Sequence, residues 1–211
     1  MKIGIIGATG QAGSLILKEA VDRGHEVTAI VRDASKLQTA DVNVVEKSIY
    51  DLSSQDLDAL DVVVNAFGAP IGEEQPHVDA GHALIETLKG TDTKAVIVGG
   101  AGSLFVDEDK TLRVADTDDF PDAFKPTANG QARNLKELQE TSDITWTFIS
   151  PSADFDAEGK RTGSYETGQD HLLSNSEGES YISYADYAIA VLDEIENPKH
   201  VNERFTVVGE R

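Results

Sequence analysis

Three glycines in seven residues, Gly7, Gly10 and Gly13 of GATGQAG, follow the apolar run Lys2 to Ile6 and open a segment of helical period. The first N–H groups of a helix have no partner within it and sit at the positive end of its dipole. A glycine-rich strand-to-helix turn therefore offers a site for an anion. Gly7 permits the tight turn, Gly10 lets a phosphate reach the main chain with no Cβ in the way, and Gly13 lets the helix pack close on the strand. Thr9 can donate its hydroxyl, while Gln11 and Ala12 supply N–H groups. The anion that fits this arrangement is the diphosphate of a dinucleotide.

The next contact belongs at the end of the second strand, about twenty residues on, where an acid bonds the ribose or an Arg bonds the extra phosphate of NADP(H). Here VRD supplies both, as Arg32 and Asp33. Arg32 ends the strand directly and Lys36 adds a second cation, so NADP(H) is favoured over NAD(H).

The elements that must position these residues are legible as short β-branched runs alternating with longer helical patterns. Strands are expected at Lys2 to Ile6, Glu26 to Val31, Val42 to Glu46, Asp61 to Phe67, Lys94 to Gly99, Ile144 to Ile149 and Arg204 to Val208. Helices are expected at Gln11 to Arg23, Ser53 to Leu60, Pro76 to Leu88, Thr127 to Glu140 and Tyr184 to Ile195. Ser53 with Asp56 reads as a capping box, and Gly24 as a left-handed helix cap. The pattern predicts an α/β fold, a Rossmann-like doubly wound parallel sheet in a single domain over residues 1–211. Two acidic stretches, 101–125 and 151–180, interrupt the alternation after strand ends, where ligands of such sheets bind, and are expected to be substrate-side loops.

Composition excludes several classes. With 38 Asp and Glu against 18 Lys and Arg, the formal charge of −20 repels nucleic acid and anionic lipid. The absence of cysteine rules out disulfides and thiolate chemistry and suits an intracellular setting. No apolar run has the length of a membrane span and no basic-then-apolar leader precedes the first strand, so a cytoplasmic protein is expected. No metal site is expected: His77 and His82, five apart, fall on different helical faces and read as ordinary helix residues. His171 could line a substrate pocket, and Phe155 and Tyr165 could stack on a planar acceptor, although packing within their loop is the role expected of them.

GATGQAG, GHEVTAIVRD, NAFGAP, VIVGGAGSL, ITWTFISPSADF, RTGSY and SYISYADYAIAVLDEIENPKHVNERFTV together resemble the atypical short-chain dehydrogenase/reductases grouped as NADH-flavin reductases, kin to NmrA-like regulators and biliverdin reductase B. The resemblance spans nearly the whole chain. It implies NAD(P)H binding with phosphate contacts at Gly7, Thr9, Gly10, Gln11 and Ala12, and a ribose contact at Arg32. It places Asn65, Ala66, Phe67 and Gly68 beneath the adenine side, Gly99 and Gly100 through Ser103 toward the nicotinamide, and Pro151 beside its ring. Relatives carry Gly-Asp where this chain has Lys47 and Ser48, which leaves Ser48 to meet the adenine amine.

Typical members of the superfamily set a Lys four residues after a Tyr to lower its pKa for proton transfer. None of Tyr50, Tyr165, Tyr181, Tyr184 and Tyr187 has that partner. A simple ketone would leave its alkoxide unsupported, whereas a flavin or quinone spreads the incoming charge over several heteroatoms. The expected function is therefore hydride transfer from NAD(P)H to a conjugated small-molecule acceptor, FMN or FAD among them, by a monomer or homodimer. Ser103, near the position of the superfamily's catalytic Ser, is the one candidate to bond an acceptor oxygen. A redox sensor that binds NAD(P) without turnover is the alternative, and a carbonyl reductase or epimerase recruiting an acid from the long loops is a third reading.

Overall fold

The computed structural model describes residues 1–39 and 42–211. The expected runs form β1 (Lys2–Ile6), β2 (Glu26–Val31), β3 (Asn43–Glu46), β4 (Val62–Asn65), β5 (Lys94–Val98), β6 (Trp146–Ser150) and β10 (Glu203–Val208). These are joined by α1 (Gln11–Asp22), α2 (Ser54–Leu57), α3 (Gln75–Leu88), α4 (Lys125–Glu140) and α5 (Tyr184–Glu196). The main sheet runs β3-β2-β1-β4-β5-β6-β10-β8, parallel throughout except that β8 (Glu166–Gly168) pairs antiparallel with β10. This is the Rossmann-like α/β architecture read from the sequence.

Both faces of the sheet are covered, which explains why its strands read as unbroken apolar runs. Side-chain alternation then sorts them. Ile3 and Ile5 of β1, Val62 and Val64 of β4 and Val96 of β5 face α1 and α5. Ile6, Val63, Ala95, Ile97 and Phe148 face α3 and α4, meeting Leu84, Leu88, Leu135 and Leu138. Each buried Val, Ile, Leu or Phe contributes about 1.5–3 kcal/mol of apolar burial, so two continuous cores hold the strand ends in fixed register. Chain order reverses between β1 and β4, and the switch point opens a crevice at their carboxyl ends.

Several boundaries differ from expectation for local reasons. β4 ends at Asn65 instead of Phe67, because the Asn65 Oδ1 accepts the Phe67 N–H at 3.0 Å and turns the chain out of the sheet. Helix α2 keeps a single turn of the expected Ser53 to Leu60, although its capping box forms: Asp56 accepts from the Ser53 N–H at 2.8 Å and hydroxyl at 2.7 Å. Gly24 ends α1 at φ +79°, as expected. Helix α4 begins at Lys125, two residues before the expected Thr127, with Pro126 in its first turn. Three short strands lack a sequence signal: β8, and the parallel pair β7 (Asp154–Asp156) and β9 (Tyr181–Ser183). At three residues each they exist only through their partners.

Candidate functional site

The β1–α1 turn is held from two sides. Gly7 takes φ +75°, and a Cβ there would stand 2.6 Å from the Ala66 carbonyl oxygen. A Cβ on Gly13 would stand 2.2 Å from the Gly7 oxygen, so α1 rests directly on the turn. Gly10 differs: a Cβ there would meet only the Gly7 oxygen, at 3.2 Å. Its bareness thus faces outward. No side chain among the described residues caps α1 at Gly10, and the first turn, Gln11 to Ser14, holds no acid. The leading N–H groups and the dipole's positive end are left for an anion.

That helix end opens into a cleft of about 1090 Å³ running across the carboxyl edge of the sheet. One end, beyond β2 and β3, is lined by Arg32, Lys36, Lys47 and Ser48. Arg32 is exposed and makes no ion pair among the described residues. Asp33 is committed elsewhere: its Oδ1 accepts from the Ser35 hydroxyl at 2.6 Å and N–H at 3.1 Å, and the Ser35 hydroxyl chiefly holds its carboxyl below the usual range. Lys47 donates to both oxygens of Asp56 at 2.7 Å, which is the main reason that carboxyl lies at about 2. Ser48 Oγ accepts the Tyr50 N–H at 3.4 Å while lining the cleft.

The floor is formed by Ala66, Phe67, Gly68 and the turn Gly99 to Gly102. Asn65 lies just beneath, fixing that floor through its bond to Phe67, and does not itself line the cleft. Gly99 and Gly100 are glycine for packing: a Cβ would lie 2.1 Å from the Phe148 ring and 2.1 Å from Gln131 Oε1, respectively. His77, read from sequence as an ordinary helix residue, also lines the cleft. It is buried against Phe67, its Nε2 has no partner among the described residues, and burial lowers its pKa, keeping the ring neutral at pH 7.

The far end collects side chains from separate elements: Ile71, Val114, Phe120 and Phe124, then Pro151, Phe155 and Tyr184. Phe124 and Ile71 are 46% and 68% exposed, leaving apolar surface at the rim for a ligand to cover. Phe155 packs against Tyr184 with ring centroids 3.9 Å apart. The Tyr184 hydroxyl has no hydrogen-bond partner among the described residues, and burial raises its pKa, keeping it protonated.

Ser103 is placed elsewhere. It is buried, lies outside the cleft lining, and its Oγ accepts from Arg204 Nη1 at 3.2 Å, an Arg whose Nε is held by Asp170 at 2.8 Å. The structure therefore gives the Ser103 hydroxyl a structural partner instead of an acceptor. The preceding Gly102 packs closely on α4, where a Cβ would stand 2.6 Å from the Ala128 side chain. His171 is likewise outside the lining, its Nε2 on the Asp107 carbonyl at 3.1 Å, and the Tyr165 hydroxyl donates to Asp193 at 2.7 Å. Of the residues missed by sequence reading, Thr117, Phe120, Gln131 and Tyr184 have no motif. Only the position of their loops and helices after strand ends pointed toward them.

Among the described residues no group of three or more His, Cys, Asp or Glu could hold a metal ion, and no helix is long and apolar enough to cross a membrane. A family model described as NAD(P)H-binding matches residues 7–198. The chain is 62% identical over 211 residues to the uncharacterized protein YwnB of Bacillus subtilis (strain 168), covering 100% of this chain and 99% of that one. Among solved structures, a putative NADH-flavin reductase from Streptococcus pneumoniae TIGR4 is 44% identical, with a TM-score of 0.93 and 100% of both chains covered. A putative epimerase from Bacteroides thetaiotaomicron is 35% identical, with a TM-score of 0.89 and coverage of 100% and 97%. One backbone thus carries differently named activities, so the site must decide between them.

Proposed function

The chain belongs to the NAD(P)H-binding family, and on that premise we propose that it is an NAD(P)H-dependent reductase of a conjugated acceptor such as a flavin or quinone. The observation that carries the reading is one continuous cleft: an uncapped helix N-terminus in its middle, an Arg with no ion pair among the described residues at one end, and an aromatic-rimmed chamber at the other. The bare main chain of Gly7 to Gly13 fits a diphosphate, which an added Cβ at Gly10 would crowd. In this reading the N–H groups of Gln11, Ala12 and Gly13 and the Thr9 hydroxyl hold the phosphates. Ser48 and Ala66 to Gly68 border the adenosine, and Gly99, Gly100 and Pro151 border the nicotinamide.

When bound, the cofactor supplies the hydride. The protein's part is position and exclusion of water. Phe120, Phe155 and Tyr184 stack a planar acceptor over the nicotinamide site, and proximity of the two rings supplies most of the rate. With no Lys paired to a cleft Tyr and with Ser103 turned to Arg204, the chain favours an acceptor whose charge is delocalised and protonated from solvent. Tyr184, neutral and without a partner among the described residues, is the hydroxyl best placed to donate a hydrogen bond to an acceptor heteroatom.

Arg32 supports NADPH as the preferred donor, since one oxygen of the competing Asp33 carboxylate is already engaged by Ser35. Loss of a charge-assisted bond to phosphate costs about 1.5–3 kcal/mol, so Arg32→Ala is expected to weaken NADPH by about 10–100-fold and NADH far less. Calorimetric titration of both cofactors checks it, and equal losses overturn the assignment. The activity is tested by following NADPH oxidation with flavins and quinones. Tight cofactor binding without oxidation of NADPH by any of them would favour the sensor reading.

A further inference from the structure

Charge is distributed unevenly along the cleft. Its cations, Arg32, Lys36 and Lys47, follow β2 and β3, whereas the acceptor chamber is built from residues that follow β5 and β6. Four strand steps separate β2 from β6 in the sheet order, about 19 Å at the usual strand spacing. That exceeds the screening length of about 8 Å at physiological salt, so those cations do not serve an anion at the far end.

The charged residues that line the chamber itself are Asp119 and Asp154. Asp154 is tied to Arg211 at 2.6 Å, while Asp119 is exposed and unpaired among the described residues. Its surroundings deepen the field. The stretch 101–125 carries seven acids against three bases. All three bases are already matched, Lys110 by Asp170, Arg113 by Asp116 and Lys125 by Asp122. The polar groups left to greet a ligand there are neutral, Thr117, Thr127, Gln131 and Tyr184.

We infer that the acceptor chamber selects against anionic acceptors, so that the uncharged riboflavin is bound and reduced in preference to FMN, which differs from it only by a phosphate. The selection rests on the reductase reading for its catalytic half but on the cleft's charge alone for its binding half. The phosphate of FMN carries about −1.5 to −2 charges at pH 7, and among the described residues nothing charged in the chamber lining other than Asp119 and Asp154 would meet it. Neutral quinones fall in the favoured class for the same reason.

Two measurements on the full chain saturated with NADP⁺ or supplied with NADPH keep the halves apart: flavin fluorescence titration gives each Kd, and NADPH oxidation gives each kcat/KM. Riboflavin is expected to bind at least about tenfold more tightly than FMN at low ionic strength, the gap closing as salt screens the field. Asp119→Asn is expected to narrow the gap as well. FMN binding as tightly as riboflavin, or a gap indifferent to salt, overturns the inference and leaves the reductase reading standing if both flavins are reduced. Tighter riboflavin binding without NADPH oxidation by flavins or quinones overturns the reductase reading and upholds charge selection. Failure of both flavins to bind overturns the charge selection, and the reductase reading then stands only if a quinone is reduced.

Discussion

Residues 101–125 and 151–180 look alike in sequence, each carrying seven acids and each following the end of a strand, yet the fold uses them in opposite ways. The first stretch spends its length around the cleft, presenting Val114, Thr117, Phe120 and Phe124 to it and leaving Asp118 and Asp119 without partners among the described residues. The second touches the cleft only at its start, Pro151 to Phe155. Its remainder is stapled down. Asp186, fully buried in the first turn of α5, accepts the N–H groups of Thr162 and Gly163 at 3.0 and 2.8 Å and the Thr162 hydroxyl at 2.8 Å. Arg161 reaches Glu19 on α1 at 3.1 Å, and Tyr165 reaches Asp193 on α5. An acidic loop is therefore no single thing: where a carboxylate is buried against N–H groups it organises the backbone, and where it stands in solvent it only shapes the field.

That contrast is most severely tested by Asp186→Ala. Three hydrogen bonds to a fully buried carboxylate are lost together, and at about 1.5–3 kcal/mol for a bond to a charged group the loss is expected to reach about 3 kcal/mol or more. A drop of roughly 6–12 °C in the unfolding midpoint should follow for a chain of this size, with much less effect on cofactor affinity. An unchanged melting temperature would remove the distinction between the stretches.

Phe120→Ala probes the other stretch and should reverse the balance. The variant is expected to raise KM for the acceptor by about fivefold to tenfold through lost apolar contact. The unfolding midpoint should move by less than about 2 °C, because the side chain packs on the cleft and not on the core. Steady-state kinetics beside thermal unfolding checks both halves. A destabilisation matching that of Asp186→Ala would show that the first stretch, too, is a structural clamp.

The smallest effect concerns another tied carboxylate, Asp56, outside both stretches. Hydrogen bonding by Lys47, aided by Ser53, holds its carboxyl at about 2 against the ordinary 3.8. A depressed carboxyl contributes stability that is complete above its unfolded pKa and is lost as pH falls from 3.8 through 2. Urea unfolding of wild type and Asp56→Asn should therefore converge over that window and differ above it. A constant difference across the window would show that the Lys47 contact adds nothing through ionisation.

The same contrast explains what could be read in advance. Residues fixed by main-chain geometry left a mark in the sequence: Gly7 and Gly13 because any Cβ would strike the Ala66 or Gly7 carbonyl, Ser53 with Asp56 because a helix start needs acceptors. Seven strands and five helices could be placed for a related reason, since apolar periodicity and local turn chemistry are set by neighbours a few residues away. The chamber at the far end had no such local rule. Phe120, Gln131, Phe155 and Tyr184 come from four separate places in the chain and converge only when both cores have formed.

Ser103 shows the same limit, since its place after β5 was legible but its partner across the core, Arg204, was not. Sequence by itself determined the alternating sheet and the glycine turn with its bare helix start, because backbone geometry demands particular residues at particular spacings. Tertiary structure alone decided which hydroxyls and carboxylates face the cleft and which are consumed inside the fold, because that depends on contacts between residues as far apart as Ser103 and Arg204, or Thr162 and Asp186.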